Sequence, residues 1–295
     1  MTAPPREAMG LLTERFGSPV TADLLSDRRG SRTWKVVTPA VPLAVKANVP
    51  GQDRARDKAA ELEQEDQHLL HLTKVSAVEP SYRVDAGPWE GGQWLAVRWL
   101  DGVPLWHALA LARGPEGNRP SVRPWLLAIA RSWAQRLAGL HAAGWAHADV
   151  QPTNTLVDAE TVHLIDYALA CGPAEGRRVP YRGALTHTTA PEVADAVLST
   201  SADTHIQARP EADVWGLGAS LFWCWTGQRP VAYEDTVDRM AKLQAIARGR
   251  TVPLDNVRPW AFPAFERIIT ACMATAPDQR PSTAQVAAGL TEADQ

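Results

Sequence analysis

Lysine is scarce in this chain. Of 30 basic residues in 295 only five are lysine, so a lysine inside a motif says more than usual. Cysteine is scarcer still: Cys171, Cys224 and Cys272 are odd in number, far apart and without metal-ligand spacing. That excludes a disulfide framework and a thiolate metal site, and predicts free buried thiols in a reducing compartment. No apolar run reaches the roughly 18 residues of a membrane span. Met1 to Gly10 has Pro, Arg and Glu where a signal peptide needs an apolar core. There is no block of basic residues, and the net charge is -3, so neither a nucleic acid nor an anionic membrane is expected as partner. Repeats and low-complexity tracts are absent as well. The expectation is a soluble cytoplasmic protein, long enough for one large domain or two small ones.

Apolar spacing at Met9, Leu12 and Phe16 predicts a short helix over Arg6–Phe16. Strand-prone segments follow at Val20–Leu25, Trp34–Val37 and Leu43–Ala47, separated by turn-rich Ser26–Arg32 and Pro39–Pro42. Asp53–Leu72 is charged and helix-favouring. Two more strands, Tyr82–Asp85 and Gln93–Val97, flank a turn at Gly87–Gly92. From Pro104 onward helices dominate: Trp125–Ala143 is amphipathic and ended by Gly144, and Asp213–Thr226 is apolar enough to be buried. Arg113–Pro120 reads as an exposed loop. Twelve tryptophans are many for this length; Trp133, Trp215, Trp223 and Trp225 are expected in the core.

Residues 147–154 read His-Ala-Asp-Val-Gln-Pro-Thr-Asn, and Asp166 follows twelve positions after Asn154 in Leu164-Ile165-Asp166-Tyr167-Ala168. A lone Asp or Asn most often caps a helix or a turn. Here three fall in the order that phosphoryl transfer to a hydroxyl needs. One carboxylate must sit by the attacking oxygen, with an amide oxygen and a second carboxylate held nearby for magnesium. Upstream, Leu43-Ala44-Val45-Lys46 places a lysine on an apolar strand, which is costly unless its ammonium has partners. Downstream come Thr189-Ala190-Pro191-Glu192, then Asp213-Val214-Trp215-Gly216-Leu217-Gly218, then Asp278-Gln279-Arg280-Pro281. In this order the stretches resemble the protein kinase family, over about residues 20–285.

The resemblance implies an α+β, two-lobed fold. Residues 1–97 would be a small β-rich N-lobe with one main helix, 98–102 a hinge and 103–295 a larger helical C-lobe. It implies ATP and Mg2+ as cofactors. Asp149 would orient the acceptor hydroxyl and take its proton, and Asn154 and Asp166 would hold magnesium. Lys46 would meet the nucleotide phosphates and a helix carboxylate. Glu61, Glu63 and Glu65 compete for that place; Glu65 is preferred for its phase with Leu69 and Leu72, and Glu61 is second because it shares the face. The other carboxylates read as a solvated face. Residues 95–102 resemble a hinge, with backbone groups of Arg98 and Leu100 on the adenine edge and Val97 behind. Trp89, Trp94, Trp99 and Trp106 flank the expected nucleotide site. Asp213 is expected to brace the catalytic loop, and Glu192 with Arg280 to form a buried pair.

Several positions depart from the family pattern. Between Ser26 and Val36 there is one glycine, so phosphate contacts fall to N–H groups near Gly30 and Ser31, with arginines nearby. Ala148 replaces an arginine that docks a phosphorylated activation loop, Gln151 a lysine that touches the transferred phosphate, and Tyr167-Ala168 a Phe-Gly pair. Between Asp166 and Glu192 lies the segment that would present the acceptor. It holds Tyr181, Thr186, Thr188 and Thr189, with Arg177, Arg178 and Arg182 either a basic patch for an acidic partner or a solvated face.

The expected function is ATP- and Mg-dependent transfer of phosphate to a hydroxyl, with Ser/Thr of a protein or peptide preferred, for instance a biosynthetic precursor peptide. A pseudokinase acting as a nucleotide-sensing binding or scaffold module is the alternative. A small-molecule kinase is a further one, since His-Ala-Asp is similar to the loop of aminoglycoside phosphotransferases. A partner enzyme or activator that completes the phosphate loop is left open.

Overall fold

Alternating burial along residues 31–48 builds a sheet around the lysine strand. The computed structural model describes residues 3–19, 21–28, 30–51, 55–114, 116–173 and 179–293. Arg177 and Arg178, with Val20, Asp53 and the first two residues, lie outside these. The chain divides into two units, one centred on Met1–Leu100 and the other on Asp101–Ala174 and Pro180–Gln295.

The first unit opens with helix α1 (Arg6–Phe16), followed by strands β1 (Thr21–Arg28), β2 (Ser31–Val37) and β3 (Pro42–Asn48). Helix α2 (Ala55–Lys74) precedes β4 (Arg83–Trp89) and β5 (Gly92–Arg98). The strands form one antiparallel sheet in the order β1-β2-β3-β5-β4. Along β3, Leu43, Val45 and Ala47 are fully buried while Lys46 points to the other face, as a pleat with period two requires. With β2 and β5 on either side, Lys46 stands in the middle of the sheet and not on an edge. Ala8 and Leu12 of α1 join Trp34, Val36 and Trp94 in the core of this unit.

Two turn expectations are corrected here. Ser26–Arg32 is mostly strand: β1 runs to Arg28, β2 starts at Ser31, and a bulge lies between Leu24 and Ser26. The strand expected over Val20–Leu25 thus continues to Arg28, and because this edge strand is exposed along nearly its whole length, no apolar alternation revealed its second half. Gly87–Gly92 likewise shrinks to a two-residue turn at Glu90-Gly91, with φ of 42° and 79°. Pro88 is tolerated within β4 because β4 is the other edge. Trp94, at 2% exposure, is core, and Trp89 packs against the same core.

The second unit begins with β6 (Val103–Pro104), α3 (Leu105–Ala108), α4 (Ala110–Arg113) and α5 (Val122–Ala142). The hairpin β7 (Thr155–Asp158) and β8 (Thr161–Leu164) pairs with β6 in a three-stranded sheet. Helices α6 (Pro191–Ser199), α7 (Pro210–Thr226), α8 (Arg239–Ala247), α9 (Pro263–Cys272) and α10 (Thr283–Glu292) complete it. Proline in its first turn and left-handed Gly227 after its last delimit α7. Two glycines let α7 touch its neighbours closely. A Cβ on Gly216 would lie 2.9 Å from the Val150 Cβ, and one on Gly218 2.7 Å from the Cys272 Cβ.

Trp133, Trp215 and Trp225 are buried as expected. Trp223 is only half-buried, because it faces the flank, where its ring meets Trp106 at 5.4 Å and His187 at 5.1 Å. Arg113 is no loop residue: its guanidinium lies 3.8 Å over Trp106 and donates to the Trp106 and Cys224 carbonyls. Gly117 is buried as well, while most of the stretch around it is exposed.

Arg280 ties three parts of this unit together. It makes a two-pronged pair with Glu192, at 2.8 Å on each arm, and donates to the carbonyls of Glu211, Ala274 and Thr275. All five of its N–H donors are thereby engaged. The pair expected to be buried is so only on the Arg280 side, Glu192 being 33% exposed, and replacing Arg280 by leucine leaves three carbonyls without their donor. Arg280→Leu should lower unfolding free energy by about 3 kcal/mol or more, read as a shifted midpoint in urea denaturation.

Candidate functional site

In the first unit, Lys46 Nζ lies 2.7 and 2.8 Å from the two carboxylate oxygens of Glu65. Glu65 is 1% exposed, so this pair is desolvated and its geometry tightly held. The competing Glu61 instead pairs with Lys58, one turn before it on α2. The expectation that the other carboxylates of α2 are solvated fails at Asp66. That residue is buried and binds Arg83 Nε at 2.6 Å, an anchor of α2 to β4. Next to Glu65, buried Gln64 accepts the Val179 N–H through Oε1 at 3.0 Å.

Gly30, with φ of 79°, and Ser31 sit at the hairpin between β1 and β2, where Arg28 pairs with Ser31. The Gly30 carbonyl is taken by the Val49 N–H, and Arg32 binds Asp27 across the hairpin at 2.9 Å. Val97 is buried at the end of β5. The Arg98 N–H donates to the Tyr82 carbonyl at 2.7 Å and the Trp99 N–H to Pro42. The Arg98 N–H is therefore already engaged.

In the second unit, Asp149, Gln151, Asn154 and Asp166 come together on the stretch between α5 and the segment after β8. The Asp149 Oδ1 accepts from Gln151 Nε2 at 2.6 Å, and its Oδ2 accepts from Asn154 Nδ2 at 2.7 Å. Gln151 is held in turn by the Thr153 hydroxyl, 2.9 Å from its Oε1. Burial first, and the neighbouring Asp166 charge second, push the Asp149 carboxyl up to about 7. Bonds from Asn154, Gln151 and the Leu185 N–H oppose that rise. A carboxylate with a proton affinity near neutrality is suited to receive a proton from a hydroxyl.

The backbone here is strained and braced. Ala148 and Asp166 adopt left-handed φ values of 63° and 67°, which non-glycine residues hold only when their surroundings over-determine them. Ala148 is fixed from both sides. Its N–H donates to Asp213 Oδ1 at 2.8 Å, and its carbonyl accepts the Tyr181 hydroxyl at 3.0 Å. Asp213 Oδ2 also accepts the His147 N–H at 2.6 Å and faces His141 Nε2 at 2.9 Å. His147 is fully buried, and burial lowers its pKa; its Nε2 lies 3.2 Å from the Ile165 carbonyl, one residue before Asp166.

Residues 124–289 match the family described as protein kinase domain, which is more than half of the chain. The chain belongs to the protein kinase domain family. The domain is 27% identical to the probable serine/threonine-protein kinase PkwA of Thermomonospora curvata, over 74% of this chain and 26% of that protein. It is 30% identical to serine/threonine-protein kinase PknE of Mycobacterium tuberculosis, over 72% of this chain and 35% of that one. With serine/threonine-protein kinase AfsK of Streptomyces coelicolor it shares 28%, over 73% and 24%. It thus spans about a quarter to a third of the length of these relatives.

The oxygens present suit magnesium. Asn154 spends its Nδ2 on Asp149, which leaves Oδ1 for a cation, and Asp166 adds a carboxylate close enough to raise the Asp149 pKa. Among the described residues no group of three or more His, Cys, Asp or Glu could hold a metal by itself. A hard cation that takes one or two protein ligands and completes its shell with phosphate and water fits this set.

Tyr181 was expected on a segment presenting the acceptor, yet it is 4% exposed and serves as a brace. Arg182 is no free patch residue either, since it donates to the carbonyls of Val197 and Thr200 at the end of α6. The roles of Gln64, His141 and Leu185 escaped sequence reasoning, because each acts through a partner distant in the chain. His141, on the apolar-spaced end of α5, gave the one usable hint.

The Asp149 shift has a sign that can be checked. Unfolded, its carboxyl ionises near 4, whereas in the fold it keeps its proton up to about 7. The folded state therefore binds more protons across that window, and stability falls as pH rises through it. In metal-free buffer the stability of Asp149→Asn relative to wild type should rise by about 4 kcal/mol from pH 4 to above pH 7. The gain should fade toward pH 4, as urea unfolding at both ends would show.

Proposed function

We propose that the domain moves the γ-phosphate of ATP, with magnesium, to a serine or threonine hydroxyl of a protein or peptide. The observation that carries this reading is Asp149, a buried carboxyl with a proton affinity near neutrality on a loop braced by Asp213. Asp149 would align the acceptor hydroxyl and take its proton as the oxygen bonds to phosphorus and ADP leaves. Lys46, oriented by Glu65, would meet phosphate oxygens, and Asn154 with Asp166 would hold the metal. Magnesium, when bound, would neutralise charge on the phosphates. Backbone groups of Arg98 and Leu100 would receive the adenine, with Val97 behind it. The relatives' names, all serine/threonine-protein kinases, favour a protein acceptor over a small molecule. So does the folded Thr186–Thr188 turn leading into α6, a platform for a peptide.

A second reading, a nucleotide-binding module without turnover, is favoured by one feature: the Gln151 amide rests on Asp149 Oδ1, where an acceptor hydroxyl would have to bind. The two readings separate on labelled ATP offered with a panel of peptide acceptors. Wild type should label a Ser/Thr peptide. Asp149→Ala should lose the transfer by about a thousandfold or more while still binding nucleotide, the mark of a group that acts on the acceptor. A magnesium-dependent rise in melting temperature with ATP, lost in Asp166→Ala, should accompany it. Undiminished transfer by Asp149→Ala would remove it from its assigned role, and nucleotide binding with no transfer to any acceptor would leave the binding module.

A further inference from the structure

Three donors converge on the Asp149 carboxylate: Gln151 Nε2 on Oδ1, Asn154 Nδ2 on Oδ2, and the Leu185 N–H. A carboxylate offers about four lone-pair sites, so about one is left for an incoming hydroxyl. Where that site points depends on the carboxylate keeping its plane. Two of the donors are themselves well fixed. Asn154 is buried, and its Nδ2 also reaches the Asp149 carbonyl at 3.2 Å, while Leu185 donates from its backbone. Gln151 is the loose one, a half-buried, flexible side chain that loses rotamer freedom when it is held.

The backbone of Gln151 is secured locally. It is extended, with φ of -155° and ψ of 161°, and its carbonyl accepts the Asn154 N–H and the Thr155 hydroxyl. Its side chain is clamped by a neighbour that the next turn brings round. Pro152 opens a single turn of 3₁₀ helix, Pro152–Asn154, and this turn lays the Thr153 hydroxyl 2.9 Å from Gln151 Oε1. The amide has one way to point. An ionised carboxylate only accepts, so it takes the NH2 end, and Oε1 then faces a hydroxyl that can donate. Thr153 is exposed, so little packing depends on it. We infer that Thr153 is a positioning residue: its hydroxyl holds the Gln151 amide, and through it Asp149 Oδ1, in the orientation that aims the remaining lone pair at an acceptor hydroxyl. This role presupposes the phosphate transfer proposed above, whereas the clamp itself exists without turnover.

Two substitutions separate the hydroxyl from the shape. Thr153→Ser keeps the donor, and Thr153→Val keeps the branched outline without it. In the first arm the full chain, isotope-labelled at its glutamine side chains and free of nucleotide, is followed by NMR. The Gln151 NH2 pair is the one missing from Gln151→Ala. Wild type and Thr153→Ser should share its position, and both Thr153→Val and Asp149→Ala should move it toward that of a solvated amide. In the second arm transfer from ATP is measured with a Ser/Thr peptide drawn from the acceptor panel. Thr153→Val should lower kcat about tenfold while the peptide KM stays within about twofold, and Thr153→Ser should stay within about twofold in both. Equal melting temperatures are expected throughout; a threonine that only supported the fold would lose them together with kcat, and would not be rescued by serine. A Gln151 signal indifferent to Thr153→Val, full kcat in Thr153→Val, or Thr153→Ser as slow as Thr153→Val would each overturn the assignment. Absence of transfer by wild type would remove the proposed function, and the amide signals would then decide the clamp alone.

Discussion

The carboxylate of Asp213 is the constraint on which the second unit depends. It is 1% exposed and accepts the N–H groups of two successive residues, His147 and Ala148, while His141 faces it from α5. Successive N–H groups can converge on one carboxylate only if the chain bends, and Ala148 does so with a left-handed φ of 63°. That bend delivers Asp149 into the buried place where its proton affinity climbs. The Tyr181 hydroxyl on the Ala148 carbonyl holds the same residue from its other side. Asp213 belongs to the first turn of a helix buried along nearly its whole length, so its own position is set by packing. Rigid apolar packing thus fixes a polar bracket, and the bracket fixes the loop.

Polar groups recur in this role elsewhere. Arg280 joins α6, the first turn of α7 and the segment after α9 through one guanidinium, a task for which a planar fork with five donors is suited and an ammonium is not. In the first unit the Lys46–Glu65 pair and the Asp66–Arg83 pair fasten α2 to the sheet at neighbouring positions of one helix. Such pairs add little stability against well-packed apolar residues, but they select one arrangement, because a misplaced partner leaves a charge buried and unanswered.

Ala148 stands where the family pattern has an arginine that docks a phosphorylated loop. Here the neighbouring segment is held instead by neutral contacts: Tyr181 to the Ala148 carbonyl, and Val179 to Gln64. Neither depends on a charge that modification could add. The substitution is consistent with these contacts, since Val179 and Tyr181 are held without an arginine at position 148.

Much of the architecture was legible without coordinates, for identifiable reasons. Helix α1 matches its expected span because its apolar spacing is local, and α7 was plain because a helix buried on all sides needs no periodicity. The asymmetric motifs around Asp149, Asp166, Glu192 and Arg280 could be read because each combines rare spacing with residues costly to bury. The second half of β1 and the facing ends of β4 and β5 were misjudged, since an exposed edge strand carries no alternation and is held by a ladder that only its neighbour supplies. Among Glu61, Glu63 and Glu65 the helix phase gave an order of preference; the ion pair itself came from the fold, which puts Lys58 beside Glu61 and Lys46 beside Glu65. Residue types and their order along the chain thus pointed to the family and to a candidate chemistry. Only the tertiary structure decided which groups are desolvated, and hence the near-neutral proton affinity of Asp149 and the bracing role of Tyr181. Desolvation is a property of everything packed around a group, most of it far away in sequence.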